Sequence, residues 1–173
     1  MSHHLGAGLF RVRLLNFKEV MDLMIKFNVP YVTGKEMEYI SSVFDRRKFS
    51  GDGEFIKRTA DLLKLQTGAK EVYMTPSCTS ALEMSAILAD IGLGDEVIMP
   101  SFTFVSTANA FLLRGAKIKF VDIRPDTLNI DEKLIEPART QHTKAIVVMH
   151  YAGVACEMDK IMEIARKRNI MVM

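Results

Sequence analysis

Small hydroxyl residues and a thiol follow one short apolar run and open a predicted helix. The run Val72–Thr75 leads through Pro76 into Ser77, Cys78 and Thr79. The first turn of a helix has free backbone N–H groups and the positive end of the helix dipole, so it can bind a phosphate. Ser and Thr also cap helices when no anion is bound, so the pattern leaves a phosphate seat and an ordinary cap open. The chain contains neither GxGxxG nor GxxxxGK[ST], so a dinucleotide site or a P-loop is not predicted.

Two further segments carry side chains that could bind a ligand. Phe102, Phe104 and Ser106 follow the apolar run Glu96–Met99, and either aromatic ring could stack on a planar ligand or belong to the core. His150 follows a later apolar run, where its ring could donate to a ligand or satisfy a nearby backbone group. In open parallel sheets, ligands bind beyond the carboxyl ends of the strands, so all three segments are candidates for one site.

The two cysteines, Cys78 and Cys156, have no CxxC spacing. Neither a disulfide framework nor a metal site is therefore predicted, and a reducing cytoplasm fits best. A helix N-terminus lowers the pKa of a thiol, which would favour Cys78 as a nucleophile. No histidine can be assigned as its general base, so a nucleophilic role is not predicted.

Apolar runs that alternate with helical patterns predict an α/β fold with a largely parallel sheet and right-handed crossovers. The predicted strands are Val72–Thr75, Glu96–Met99, Ile118–Val121, Ala145–Met149 and Ile170–Met173. The predicted helices between them are Thr79–Ile91, Val105–Leu113, Asp131–Arg139 and Met158–Lys167. Two helices come earlier, one over Lys35–Arg47 with capping-box spacing of Thr33 and Glu36, and one from Phe55 to about Gly68.

Composition indicates a globular protein. Of 173 residues, 49% are hydrophobic and 25% are charged, and the net charge is +2, which argues against disorder and against a basic nucleic-acid footprint. No apolar run approaches the roughly 20 residues that span a bilayer. Residues 1–24 lack the patterning of the rest and are predicted to be a leader, disordered or unrelated to the fold, ahead of one domain over residues 25–173.

Four motifs in order resemble those of the DegT/DnrJ/EryC1/StrS sugar aminotransferase family. They are the segments Thr75–Leu82, Gly94–Asn109, Val121–Asp131 and His150–Gly153. From about Ile25 onward the chain is most similar to the TDP-4-keto-6-deoxyglucose aminotransferases of that family. The resemblance implies the large domain of a fold type I (aspartate aminotransferase) PLP-dependent transferase, with an incomplete, mostly parallel sheet and flanking helices.

The resemblance also implies roles for particular residues. The backbone at Cys78 and Thr79, with the hydroxyl of Thr79, would hold the phosphate of pyridoxal 5'-phosphate (PLP), which becomes pyridoxamine 5'-phosphate (PMP) in the half-reaction. Ser77 would also belong to the cofactor-binding residues. Phe104 would stack on the cofactor ring, which leaves Phe102 for the core. Ser106 and His150 would lie at the edge of the cofactor.

The implied reaction moves an amino group from glutamate to C4 of a nucleotide-linked 4-keto-6-deoxy sugar, in an enzyme that is a homodimer at full length and binds neither nucleic acid nor membrane. The family's Schiff-base Lys and pyridinium Asp are expected after Met173, so no catalytic residue is assigned and the chain alone is expected to be inactive. Open edges at Val72–Thr75 and Ile170–Met173 are expected to make it unstable by itself. The alternatives are a non-catalytic α/β module that binds a phosphate or nucleotide, and a truncated product without function.

Overall fold

The computed structural model describes residues 28–173. The predicted leader and the domain boundary near Met24 lie outside these residues and stay predictions. The chain divides into two compact units, Met1–Gly53 and Glu54–Met173. The sequence did not predict this division, because the turn cluster around Gly51 and Gly53 resembles an ordinary connection between two helices.

Within the first unit, helix α1 spans Glu36–Arg46, close to its predicted bounds. The carboxylate of Glu36 accepts from the backbone N–H of Thr33 at 2.7 Å and of Gly34 at 2.9 Å. The Thr33 hydroxyl donates to the same carboxylate at 2.7 Å. The carboxylate half of the predicted capping box is thus present, and these bonds, the hydroxyl's first, lower the pKa of Glu36 to about 2.

The second unit alternates helices with strands, as predicted. After helix α2 over Glu54–Thr67 come α3 Cys78–Leu88, β1 Glu96–Pro100, α4 Val105–Leu112, β2 Lys117–Val121, a 3-10 turn Glu132–Leu134, α5 Ile135–Ala138, β3 Thr143–Ile146, a 3-10 turn Tyr151–Gly153, α6 Met158–Arg168 and β4 Met171–Val172. The helix predicted over Asp131–Arg139 is split. Pro137 has no N–H to donate to the carbonyl of Lys133, so a regular α-helix cannot run through that turn.

Among the described residues, four parallel strands form the sheet, in the order β2-β1-β3-β4. The prediction of a strand over Val72–Thr75 is wrong, because residues 71–75 have no strand pairing. A segment of high β-propensity becomes a strand only when a neighbour accepts its backbone hydrogen bonds, and no strand within residues 28–173 pairs with it. Tyr73 and Met74 in this segment are exposed.

Strand β1 lies between two hydrophobic cores, and its side chains alternate between them. One face holds Ala86, Ile91, Val97, Met99, Ala108, Ala110, Phe111, Ala116, Ala145 and Val147. The other face holds Ile98, Val121, Ile130, Ile135, Ile146, Cys156, Ile161, Ala165 and Ile170. Helices α3 and α4 therefore cover one face of the sheet and α5 and α6 the other, which confirms the predicted α/β fold with flanking helices.

The order of these elements brings two helix N-termini to the carboxyl edge of the sheet. Helix α4 begins five residues after the end of β1, so its first turn lies at that edge. Helix α3 precedes β1 and packs on the same face as α4, so it returns antiparallel to β1 and its N-terminus points to the same edge. The segment after β3 reaches this edge as well, because β3 is parallel to β1.

Glu132 has a buried carboxylate that pairs with two basic side chains. Glu132 is 3% exposed, and its oxygens lie 2.9 Å from Nζ of Lys160 and 3.5 Å from Nη1 of Arg124. The bond from Lys160 is the main cause that lowers the pKa of Glu132. Because its pKa is lower in the folded state than the ordinary value of 4.5, ionised Glu132 stabilises the fold. This contribution is fully present above pH 4.5 and is lost as the pH falls through the pKa of the folded state.

We predict that Glu132→Gln lowers the free energy of unfolding by about 1–3 kcal/mol at neutral pH, because it removes charge-assisted hydrogen bonds from a buried position. The stability of the variant should also fall less steeply than that of the wild type as pH drops below 4.5. Urea unfolding at several pH values measures both effects. Glu163→Gln, at an exposed position of α6, is the control and should change stability by less than about 0.5 kcal/mol. Equal pH profiles for Glu132→Gln and the wild type would contradict the assignment.

Candidate functional site

The N-terminus of α3 has backbone donors without acceptors. Ser77 is the N-cap residue, and its hydroxyl oxygen accepts from the N–H of Ser80 at 3.1 Å. Within the described residues, the N–H groups of Cys78 and Thr79 have no backbone or side-chain acceptor. Both residues are exposed, so these two donors and the positive end of the helix dipole face solvent, where an anion can bind them.

A short turn fixes the entry to this helix. The hydroxyl of Thr75 donates to the carbonyl of Ser77 at 2.9 Å, across Pro76, which removes one backbone donor and restricts the chain. The Ser77 hydroxyl also lies 3.0 Å from that of Ser80. The Ser77 hydroxyl is thus engaged within the first turn, and the prediction that Ser77 binds the cofactor stays a prediction.

A cavity of about 350 Å³ lies between α3 and α4, within the range of small-ligand sites. It is lined by Thr79, Glu83, Ser106, Asn109, Leu112 and Leu113. The structure thus brings together Thr79 and Ser106, which lie 27 positions apart in the sequence. Ser77, Cys78, Phe104 and His150 do not line this cavity.

The loop after β1 presents one free aromatic ring. Phe104 precedes α4 and is 72% exposed, so its ring is available to a planar ligand. The prediction that Phe102 belongs to the core is wrong: it is 44% exposed and packs edge-to-face on Tyr151, with ring centroids 5.1 Å apart. The hydrophobic side chains of β1 already fill both cores, so neither ring of this loop enters one.

His150 satisfies a backbone group with one ring nitrogen, and the other has no partner within the described part of the chain. Its Nδ1 accepts from the backbone N–H of Cys156 at 3.1 Å, which assigns the proton of the neutral ring to Nε2. His150 can therefore satisfy a backbone group and donate to a ligand at the same time, which are the two roles that the sequence left open. The Cys156 thiol donates to the carbonyl of Met149 at 3.2 Å, and burial raises its pKa, so this cysteine is structural.

The segment after β3 is held by Asn129 and packs on the loop after β1 through Tyr151, two residues for which the sequence predicted no role. Asn129 is 2% exposed and bonds with the backbone on both sides of the turn Tyr151–Gly153. The ring of Tyr151 packs on Phe102. Asn129 follows Pro125 in a stretch of turn residues, so its sequence context indicates a turn and gives no signal of burial.

The fold and the site define a class of protein: an α/β domain with a helix N-terminus that presents free backbone donors at the carboxyl edge of its parallel sheet. Residues 30–173 match the model of the DegT/DnrJ/EryC1/StrS aminotransferase family, and the chain belongs to this family. PLP is the cofactor of the family, and structures of its members contain the PLP and PMP forms.

Individual relatives agree with the family assignment. GDP-perosamine synthase from Caulobacter vibrioides is 35% identical over 148 residues, which is 86% of this chain and 40% of that protein. An aminotransferase from Psychrobacter cryohalolentis superposes with a TM-score of 0.79 at 31% identity, over 84% of this chain and 37% of that one. NtdA from Bacillus subtilis, solved with bound PMP, gives a TM-score of 0.76 at 31% identity over 87% and 37%. The chain spans about two fifths of the length of the curated relatives it matches.

The residues of the site fit the phosphate and ring of PLP. The N–H groups of Cys78 and Thr79 supply donors to a phosphate, and the exposed ring of Phe104 supplies a stacking surface. Among residues 28–173, no group of three or more His, Cys, Asp or Glu is placed to hold a metal ion. None of the helices over the same residues is long and apolar enough to cross a membrane.

We predict that Ser77→Ala destabilises the chain by about 1 kcal/mol, because the N–H of Ser80 loses its cap. Thermal unfolding followed by circular dichroism measures the effect. Ser101→Ala is the control, since Ser101 is exposed and its backbone N–H, rather than its hydroxyl, bonds to Val121. Equal losses in the two variants would contradict the assignment of Ser77 as the cap.

Proposed function

We propose that these residues form the phosphate seat and the stacking face of a PLP site in an enzyme that transfers an amino group to a nucleotide-linked keto sugar. The single observation that carries the proposal is the pair of unsatisfied N–H groups at Cys78 and Thr79, on a helix whose Thr79 also lines the cavity. Because the chain belongs to the aminotransferase family, the anion proposed for this site is the phosphate of PLP. PLP, when bound, supplies an electron sink for the reaction.

The charge distribution supports a phosphate at the Thr79 end of the cavity. No Lys or Arg lines the cavity, and Glu83 lies one helical turn after Thr79, about 6 Å further along α3. A phosphate is repelled by the Glu83 carboxylate and attracted by the N–H groups and the dipole at the start of the helix. The phosphate therefore binds at the Thr79 end, where the hydroxyls of Thr79 and Ser106 can donate to it or to the cofactor edge.

Phe104 and His150 complete the proposed site at its ring side. A cofactor ring that stacks on Phe104 removes apolar surface from water on both partners, and such a stack contributes about 0.5–1.5 kcal/mol beyond area burial. Nδ1 of His150 accepts from the N–H of Cys156, and Nε2 has no partner among residues 28–173, so Nε2–H can donate a hydrogen bond to the cofactor or the substrate. We assign no catalytic residue to this chain.

The proposed substrate is TDP-4-keto-6-deoxyglucose, converted with glutamate to TDP-4-amino-4,6-dideoxygalactose for enterobacterial common antigen and related polysaccharides. The four sequence motifs support this choice, and the names of two relatives, GDP-perosamine synthase and UDP-4-amino-4-deoxy-L-arabinose--oxoglutarate aminotransferase, support the wider class of amino sugar nucleotides. A cytoplasmic location and a full-length homodimer belong to the same proposal, and the free thiols of Cys78 and Cys156 are consistent with a reducing compartment.

A second candidate function is a non-catalytic module that binds phosphate groups in general. The observation that favours it is that the seat uses backbone N–H groups, which can donate to the oxygens of any phosphate. The two functions differ at Phe104, because a simple anion gains nothing from a stacking ring.

We predict that the chain binds PLP without a covalent bond and that Thr79→Val and Phe104→Ala each weaken binding about five- to tenfold, through loss of a hydrogen bond and of a stack. Titration with PLP, followed by visible absorption before and after borohydride, measures affinity and detects any covalent adduct. Thr59→Val in α2 and Phe120→Ala in β2, where the phenyl ring is also exposed, are the matched controls and should leave the affinity unchanged.

Competition with inorganic phosphate separates the two functions. A PLP site prefers PLP over phosphate, and Phe104→Ala removes most of that preference. A general phosphate module binds both ligands alike and is insensitive to Phe104→Ala. Absence of saturable PLP binding to the wild type would contradict the proposal, and a borohydride-fixed adduct would show that a lysine of this chain forms a Schiff base.

A further inference from the structure

Asn129 is a buried amide whose hydrogen bonds go to a distant turn. It is 2% exposed, its Oδ1 accepts from the backbone N–H of Tyr151 at 2.8 Å, and its Nδ2 donates to the carbonyl of Val154 at 2.9 Å. Tyr151 and Val154 lie 22 and 25 positions further along the chain. Both polar groups of the amide are thus used to hold one segment at both ends.

The turn between those two bonds is strained. Ala152 has φ 50° and ψ 29°, in the left-handed region that residues with a Cβ avoid, and Gly153 follows with φ 82°. Such a conformation persists only where its surroundings determine it strongly. The bonds of Asn129 flank Ala152, and the N–H of Val154 closes the turn on the carbonyl of Tyr151 at 2.9 Å.

Asn129 is itself fixed in the chain. Its carbonyl accepts from the N–H of Arg124 at 2.8 Å, and its N–H donates to the hydroxyl of Thr127 at 3.3 Å. The next residue, Ile130, is buried and forms an antiparallel bridge with Ile123. The amide therefore projects from a rigid loop next to the second core.

The turn held by Asn129 contacts the loop that carries Phe104. The ring of Tyr151 packs edge-to-face on Phe102 at 5.1 Å, and the hydroxyl of Thr103 donates to Sδ of Met149 at 3.6 Å. These two contacts join residues 149–151 to residues 102–103, immediately before Phe104. A change in the turn is therefore transmitted to the stacking face by direct packing.

We propose that Asn129 is a positioning residue for the aromatic side of the cofactor site: its amide holds the strained turn Tyr151–Gly153, and the turn holds the loop 102–104 through Tyr151. The inference rests on the proposed function for its link to PLP. The positioning itself is a property of the chain without ligand and can be measured separately.

The test compares Asn129→Ala with the wild type and with the control Thr143→Val. The control also removes a buried polar group, the Thr143 hydroxyl, which accepts from the N–H of Thr140 at 2.9 Å. NMR measures the nuclear Overhauser contacts between the rings of Phe102 and Tyr151 and the exchange rate of the Cys156 amide, and absorption measures PLP affinity. In Asn129→Ala the ring contacts disappear, the amide exchanges about tenfold faster and PLP binds about tenfold more weakly, as expected from loss of two buried hydrogen bonds. In Thr143→Val the ring contacts, the exchange rate of the Cys156 amide and the PLP affinity stay as in the wild type.

Unchanged ring contacts and amide exchange in Asn129→Ala overturn the proposal. Unchanged PLP affinity in a variant whose ring contacts are lost overturns the link to the cofactor. If the wild type binds no PLP, the proposed function fails while the NMR data still decide the positioning role. Should Asn129→Ala not fold, Asn129→Asp replaces it: this side chain keeps an acceptor for the Tyr151 N–H and loses the donor to Val154, so the same changes are expected in reduced form.

Discussion

Strand β1 imposes the constraint on which the rest of the second unit depends. It pairs with β2 on one side and β3 on the other, and all five of its residues are buried. Side chains that alternate between two cores require helices on both faces, and the parallel pairing requires each connection to return to the same edge. The chain segments that leave β1 and β3 are therefore brought side by side at the carboxyl edge.

The chemistry of the site follows from what remains unsatisfied at that edge. Helix α3 begins there, and a helix start always has N–H groups that its own backbone cannot satisfy. The Ser77 side chain accepts from one of them, the N–H of Ser80, and the N–H groups of Cys78 and Thr79 face solvent. The nearby loops are held by the Thr103–Met149 and Phe102–Tyr151 contacts. The result is a pair of unsatisfied backbone donors at an edge whose loops also carry the exposed ring of Phe104, and the proposed PLP site uses both features.

Sequence patterns predicted most of the fold because local rules determine it. The apolar runs of β1 to β4 and the helical periods of α3, α4 and α6 were identified to within a few residues, and the four ordered motifs identified the family that the comparison confirms. Val72–Thr75 was misassigned because strand formation depends on a partner, which a local pattern does not contain. Phe102 was wrongly assigned to the core, because a local pattern does not show that the side chains of β1 already fill both cores. Asn129 was not selected, because its burial depends on the turn after β3, which becomes its neighbour only in the folded chain.

In the proposed site, the N–H groups of Cys78 and Thr79 bind the phosphate of PLP. A titration of the ¹⁵N-labelled chain with PLP, followed by amide chemical shifts, tests it most directly. We expect the amide protons of Cys78 and Thr79 to move downfield in a saturable way, while the amide of Ser80, which is bonded to Ser77, moves less. Saturable binding that leaves the Cys78 and Thr79 amides unshifted would contradict the account.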